Sequence, residues 1–422
     1  MENIVKTYPC GLRTIIRPMR GFKSTVVSIY VRVGSRDEQP NEYGLSHFCE
    51  HMLFKGTETR TSEQIAASLS NLGVDYNAFT TTGATCYHTR GLNGHLDTCC
   101  DVLSDMYFNA KFTEADFHRE AEVICQEIAM YEDQPFAVLG ELVAQTFFHG
   151  TPYGHSIAGT QESVKSFKPA DIYNYIKKHY TAPRTIVSFA GDITPAQAEE
   201  MIKKYFLPRF GGTAAPALMP LADRKLVPPS QVAKREKEFE QQSVAILFPT
   251  INNNHPDKYV LEFVNGIFSS DMSSRLFTSV RDKLGLVYRI RGGVTLTPLG
   301  GYYYISFSCT PKNTEKVLRA IADEVHKLKN EGVTPEEITK VKNIINADCL
   351  FLLENVEGIS QTTTRLLSEF NRIETVSEYL AKINAVTKND IMRAIKTYLY
   401  FSRASVAVVG KGIKVKPFEH LK

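Results

Sequence analysis

DIYNYIKKHYTAPRTIVSFAG, Asp171–Gly191, returns 219 residues later as DIMRAIKTYLYFSRASVAVVG, Asp390–Gly410. The two stretches align without a gap and coincide at seven positions, among them Asp171 with Asp390, Arg184 with Arg403 and Gly191 with Gly410. Each reads as a helix opened by a turn-forming residue, a short connection and a β-branched strand. A repeat at that separation divides the 422-residue chain into two similar halves. Between them FGGTAAPALMPLADRKLVPPS, Phe210–Ser230, concentrates Gly, Ala and Pro as linkers do. Further strand patterns lie at TVVSIYVRV and TCYHTRGL in the first half, and at QQSVAILF, VYRIRGGVTL and GYYYISFSC in the second. The expectation is an α+β fold of two homologous domains, each a mainly antiparallel sheet flanked by helices. Its divisions are 1–212, a linker over 213–232, and 233–422.

Composition narrows the function. Basic residues number 49 against 46 acidic, a net charge of +3, and no long single-sign block is present to track a nucleic-acid backbone. No segment approaches the roughly 18 unbroken apolar residues of a spanning helix. Neither nucleic acid nor membrane is therefore expected as a partner. The eight cysteines show no paired metal-ligand spacing and read as reduced, mostly buried thiols. The opening MENIVKTYPCGLRTIIRPMR has neither an export signal nor a transit helix, which points to a cytoplasmic, bacterial setting.

The chemistry concentrates in HFCEH, residues 47–51. On a helix over Leu45–Phe54, with Asn41 and Gly56 as start and stop signals, Leu45, Phe48, Cys49, Met52 and Leu53 share one side and His47, Glu50 and His51 the other. One face anchors the helix. The other presents two imidazoles one turn apart, a spacing that suits one zinc ion. Hydrolytic zinc usually takes three protein ligands, so a third must come from elsewhere. TEADFHREAEVICQEIAMYEDQP reads as a long helix opened by a Thr113/Asp116 capping box and ending before Pro135. Glu120 and Glu127 run along one border of its apolar stripe, where a partly shielded carboxylate needs a partner. Spacing alone does not choose between them, and solvated surface histidines and acids remain the alternative.

H-x-x-E-H is the inverzincin signature, and the chain resembles the insulinase and pitrilysin family of zinc peptidases, in particular the half-length members similar to mitochondrial processing peptidase. The resemblance places the third ligand about 75 residues beyond the motif. Here 75 residues separate His51 from Glu127, so it implies one zinc ion per chain held by His47, His51 and Glu127. It implies Glu50 as the acid–base group and Glu120 as a supporting acid. NAFT (Asn77, Ala78, Phe79 and Thr80) is similar to the family's substrate-binding strand edge, and PYGHSIAG, residues 152–159, to a loop following the ligand helices. In SSRLFTSVRDKLGLVY, residues 273–288, Arg281 and Tyr288 resemble a substrate-binding pair that stabilises the oxyanion. Their structural alternative is a helix-end ion pair and a core tyrosine.

Where a second zinc motif would fall, the chain reads VLEFVNGIF, so only the first domain is expected to bind metal. FSSDM stands where the noncatalytic processing-peptidase subunit carries a long glycine-rich loop, which marks a catalytic type of chain. The function implied is a zinc endopeptidase acting on short or unfolded peptides inside a chamber formed by a homodimer. The competing class is a noncatalytic peptide-binding or scaffold member of the same fold.

Overall fold

The computed structural model describes residues 3–210 and 232–415. The expected linker lies outside the described residues except at Val232, which opens a strand. The first sheet holds β1 (Ile4–Thr7), β2 (Arg13–Pro18), β3 (Ser24–Val31), β4 (Asp75–Thr80), β5 (Thr85–Leu92) and β6 (Thr185–Gly191), in the spatial order β1-β2-β6-β3-β5-β4. The second holds β7 (Val232–Glu236), β8 (Gln242–Thr250), β9 (Arg289–Thr297), β10 (Gly300–Cys309) and β11 (Ser405–Gly410), in the order β7-β11-β8-β10-β9. Without β1 the two orders are the same. The parallel pairs also correspond: β2 with β6 and β7 with β11, every other pairing being antiparallel.

The repeated stretch occupies equivalent positions down to its turns. Helices Pro169–His179 and Lys388–Tyr398, the short turns Ala182–Arg184 and Phe401–Arg403, and strands β6 and β11 follow in both. The shared Asp has a local cause. Asp171 accepts the Lys168 amide at 2.8 Å and Asp390 the Thr387 amide at 3.0 Å, capping each helix start. The shared Gly closes each strand at positive φ, 119° at Gly191 and 138° at Gly410. A Cβ on Gly191 would lie 2.1 Å from the Ser24 carbonyl oxygen, and one on Gly410 2.9 Å from that of Gln241.

The chain forms two compact units that are discontinuous in sequence and so differ from the contiguous division at the linker. The first gathers the chain up to Ala129, the stretch resumed at His155, and Cys349–Glu374. The second gathers Met130–Gly154, the chain from Val232 to Asp348, and that from Thr375. In the first unit, one sheet face buries Val27, Ile29, Val187 and Phe189 against helices that include Leu45–Met52. The other face buries Ile15, Tyr30 and Ile186 against Leu367 of helix Val356–Phe370. In the second unit, Ala245, Leu247, Ala407 and Val409 pack on Val138, Leu139 and Leu142 of helix Pro135–Phe147. Each sheet thus has both faces covered, and one covering helix comes from the other half of the sequence.

Candidate metal centre

Helix Leu45–Met52 is held from its apolar side. Leu45, Phe48, Cys49, Met52 and Leu53 are all at most 3% exposed, and full burial of a Leu, Phe or Met side chain stabilises by about 1.5–3 kcal/mol. That fixes the direction of His47, Glu50 and His51. The helix begins later than Asn41 suggests and ends before Gly56: its N-cap is Gly44, at φ 100°, and Leu53 closes it. The cap carboxylate is supplied from upstream by buried Glu38, which accepts the Gly44 amide at 2.9 Å and the Ser46 amide at 2.7 Å. Burial pushes the Glu38 carboxyl up to about 7, against the opposing pull of those amides. Neither Glu38 nor this cap was visible from residue spacing.

The loop matching PYGHSIAG packs against that cap. His155 stacks on Tyr43 at 3.8 Å, and a Cβ on Gly44 would lie 2.7 Å from the Ala158 carbonyl oxygen. Gly44→Ala combines a left-handed backbone with this clash and is expected to cost about 1–3 kcal/mol. Chemical denaturation of the metal-free protein checks it.

The second helix runs Glu114–Glu132, opened by the Thr113/Asp116 box. Phe117, Ala121, Ile124 and Cys125 are buried, and Glu120 and Glu127 face the first helix. Donor atoms of His47, His51 and Glu127 all lie within 4.8 Å of one another. Glu127 Oε2 is 3.8 Å from His47 Nε2 and 3.5 Å from His51 Nε2. Glu120 stands outside this trio, its Oε1 2.8 Å from His51 Nδ1 and its Oε2 2.6 Å from Lys55 Nζ. The geometry therefore separates the two acids that spacing left equal. Burial pushes the Glu120 carboxyl up, but the His51 and Lys55 hydrogen bonds outweigh it and hold it below the usual range. Burial, helped by neighbouring His51, lowers His47 to about 4, so its imidazole is neutral at physiological pH, the form that ligates metal.

Two imidazoles and one carboxylate fit the open three-ligand set of hydrolytic zinc, which leaves a coordination position for water or substrate. Glu50 lies between the histidines on the same face and accepts a hydrogen bond from the Thr80 hydroxyl at 2.5 Å. Burial raises its carboxyl above the usual range, against the Thr80 hydrogen bond and His51. Thr80 closes β4, which carries Asn77, Ala78 and Phe79 and pairs only with β5 among the described strands. The candidate base is thus tied to the margin of the sheet.

In the second unit, Arg281 belongs to the wide helical turn Phe277–Lys283, and Tyr288 precedes β9. The Arg281 guanidinium lies 4.3 Å from the Phe277 ring centre and 5.5 Å from that of Tyr288, within cation–π range. Tyr288 is 81% exposed, so it is no core tyrosine. At the 219-residue offset, His47, His51 and Glu127 correspond to Gly266, Ser270 and Asn346, a set without metal donors of the same kind.

Residues 19–161 match the insulinase (peptidase family M16) domain, and residues 166–345 match the domain described as "Peptidase M16 inactive domain". An uncharacterized zinc protease of Bacillus subtilis is 29% identical over 91% of this chain and 93% of its own length. A probable mitochondrial-processing peptidase subunit beta of Arabidopsis thaliana is 26% identical over 97% and 78%. A Helicobacter pylori protease has the same fold, with TM-score 0.89 at 20% identity over 97% of this chain and 99% of that one. The fold is a two-domain α+β one, shared with these peptidase relatives, and the relatives named zinc proteases match the chain along nearly its whole length. The chain belongs to the insulinase family of peptidases, as one of its half-length members. Among the described residues no helix is long and apolar enough to cross a membrane.

Proposed function

We propose that the protein is a zinc-dependent endopeptidase that hydrolyses short or unfolded peptides. The observation that carries this reading is the convergence of His47, His51 and Glu127 donor atoms within 4.8 Å, with Glu50 on the same helix face. His47, His51 and Glu127 would hold the zinc ion, which would supply Lewis acidity toward a scissile carbonyl and a water molecule. Glu50 accepts the proton of the attacking water and passes it to the leaving amine. Its raised affinity for protons suits that exchange. Asn77 to Thr80 align the peptide by strand addition along the β4 margin. The relatives named zinc proteases support the class of reaction.

Arg281 and Tyr288 donate hydrogen bonds to the substrate backbone and to the developing oxyanion. A homodimer in which each chain's Arg281 and Tyr288 serve the partner's zinc site is the economical assembly, since one chain carries both sets, and it encloses the peptide in a chamber. Mixing Glu50→Gln chains with Arg281→Ala chains is expected to restore part of the activity that neither shows alone. Verified mixed dimers without any recovery overturn the sharing of sites. Seven buried cysteines outside any disulfide, Cys10, Cys49, Cys86, Cys99, Cys100, Cys125 and Cys309, suit a reducing compartment such as the cytoplasm.

Peptide-library digestion read by mass spectrometry, with and without chelator, tests the function. The expected result is cleavage abolished by chelator and recovered on adding zinc. Zinc uptake without cleavage of any peptide favours a binding protein instead.

A further inference from the structure

The two imidazoles are not held alike. His47 Nδ1 is buried without a hydrogen-bond partner among the described residues, whereas His51 Nδ1 faces Glu120 Oε1 at 2.8 Å. An ionised carboxylate only accepts hydrogen bonds, so His51 must carry its proton on Nδ1, which leaves the Nε2 lone pair toward Glu127. The Glu120 side chain is 6% exposed. A carboxylate that buried, bonded to one neutral imidazole N–H, is undercompensated unless a cation completes its shell. Lys55 Nζ is that cation, 2.6 Å from the other carboxylate oxygen.

The lysine is set in place by the end of the ligand helix. The Phe54 amide donates to the His51 carbonyl at 3.3 Å and the Lys55 amide to the Met52 carbonyl at 3.1 Å, a tight turn that brings the Lys55 stem back toward the second helix. One helix end thereby offers both His51 and Lys55 to a single carboxylate of the other helix.

We propose that Lys55 is a positioning residue for the metal centre: by pairing with Glu120 it fixes the carboxylate that orients the His51 ring and sets its tautomer. The inference rests on the zinc reading above. Lys55 acts only through Glu120, so its effect must vanish when Glu120 no longer carries a carboxylate.

The test is a double-mutant cycle on zinc affinity, measured by competition with a chromophoric chelator at fixed pH. Loss of an outer partner of a metal-ligating histidine typically costs 10- to 100-fold in affinity. Lys55→Met is accordingly expected to weaken zinc binding about 10-fold or more, while Lys55→Arg, which keeps the charge, stays much closer to wild type. In a Glu120→Gln background, adding Lys55→Met is expected to change affinity by less than about twofold, because their effects are not independent. Equal losses from Lys55→Met in both backgrounds, or none in the wild-type background, overturn the proposal. A wild-type chain that takes up no zinc overturns this inference and the zinc reading together. Zinc uptake by wild type with Lys55→Met unaffected overturns this inference alone.

Discussion

Glu50→Gln is expected to retain full zinc content and to lose about 10²- to 10⁴-fold in turnover, the usual contribution of a general acid–base group. The substitution keeps the size of the side chain and its hydrogen bond from the Thr80 hydroxyl, because the amide oxygen still accepts. It removes the capacity to take a proton from water. Glu50 is not one of the converging donors, so metal uptake does not depend on its charge. The loss therefore falls on kcat, with little change in KM, since peptide alignment is assigned to the β4 margin. Steady-state kinetics on a fluorogenic peptide, with metal analysis of the same preparations, separates the outcomes. Near-normal turnover in Glu50→Gln removes this residue from the role of base.

His51→Ala is expected to lose both metal and activity, with zinc affinity falling more than the ~100-fold that removal of an outer partner causes. Its imidazole contributes one of only three donors and also binds Glu120. Truncation leaves the Glu120 carboxylate facing Lys55 alone and removes the nitrogen nearest Glu127 at 3.5 Å. Since a shortage of ligands and not of general base causes the defect, high zinc concentration should recover a fraction of the activity in His51→Ala and none in Glu50→Gln. Equal zinc affinity in His51→Ala and wild type contradicts the ligand assignment.

Periodicity made several parts of this arrangement legible. The duplicated helix–turn–strand unit foretold equivalent elements in both halves, because its Asp caps a helix and its Gly meets a backbone that excludes a Cβ. The two faces of the ligand helix followed from a 3.6-residue period and the burial of Phe48, Cys49 and Met52. Other features depend on contacts that no local pattern encodes. β2 and β6 pair in parallel across more than 160 residues of chain. The helices Pro135–Phe147 and Val356–Phe370 cover sheets formed largely by the opposite halves, a choice of packing face that a hydrophobic stripe alone leaves open.

The same distinction runs through the site. His47 and His51 announced themselves by spacing on one helix. Glu120 and Glu127, seven residues apart on another, stayed equivalent until the family resemblance chose Glu127, and the structure brings that residue into the trio. Glu38 and Lys55 gave no signal. Glu38 reaches forward to cap a helix from outside its first turn, and Lys55 meets Glu120 only because the chain bends after Met52.

Anomalous diffraction at the zinc absorption edge, from crystals grown with zinc, decides whether His47, His51 and Glu127 together hold one ion. One strong peak per chain is expected within bonding distance of His47, His51 and Glu127, and none in the second unit. Absence of that peak from zinc-saturated crystals, or a peak whose protein ligands exclude Glu127, contradicts that assignment.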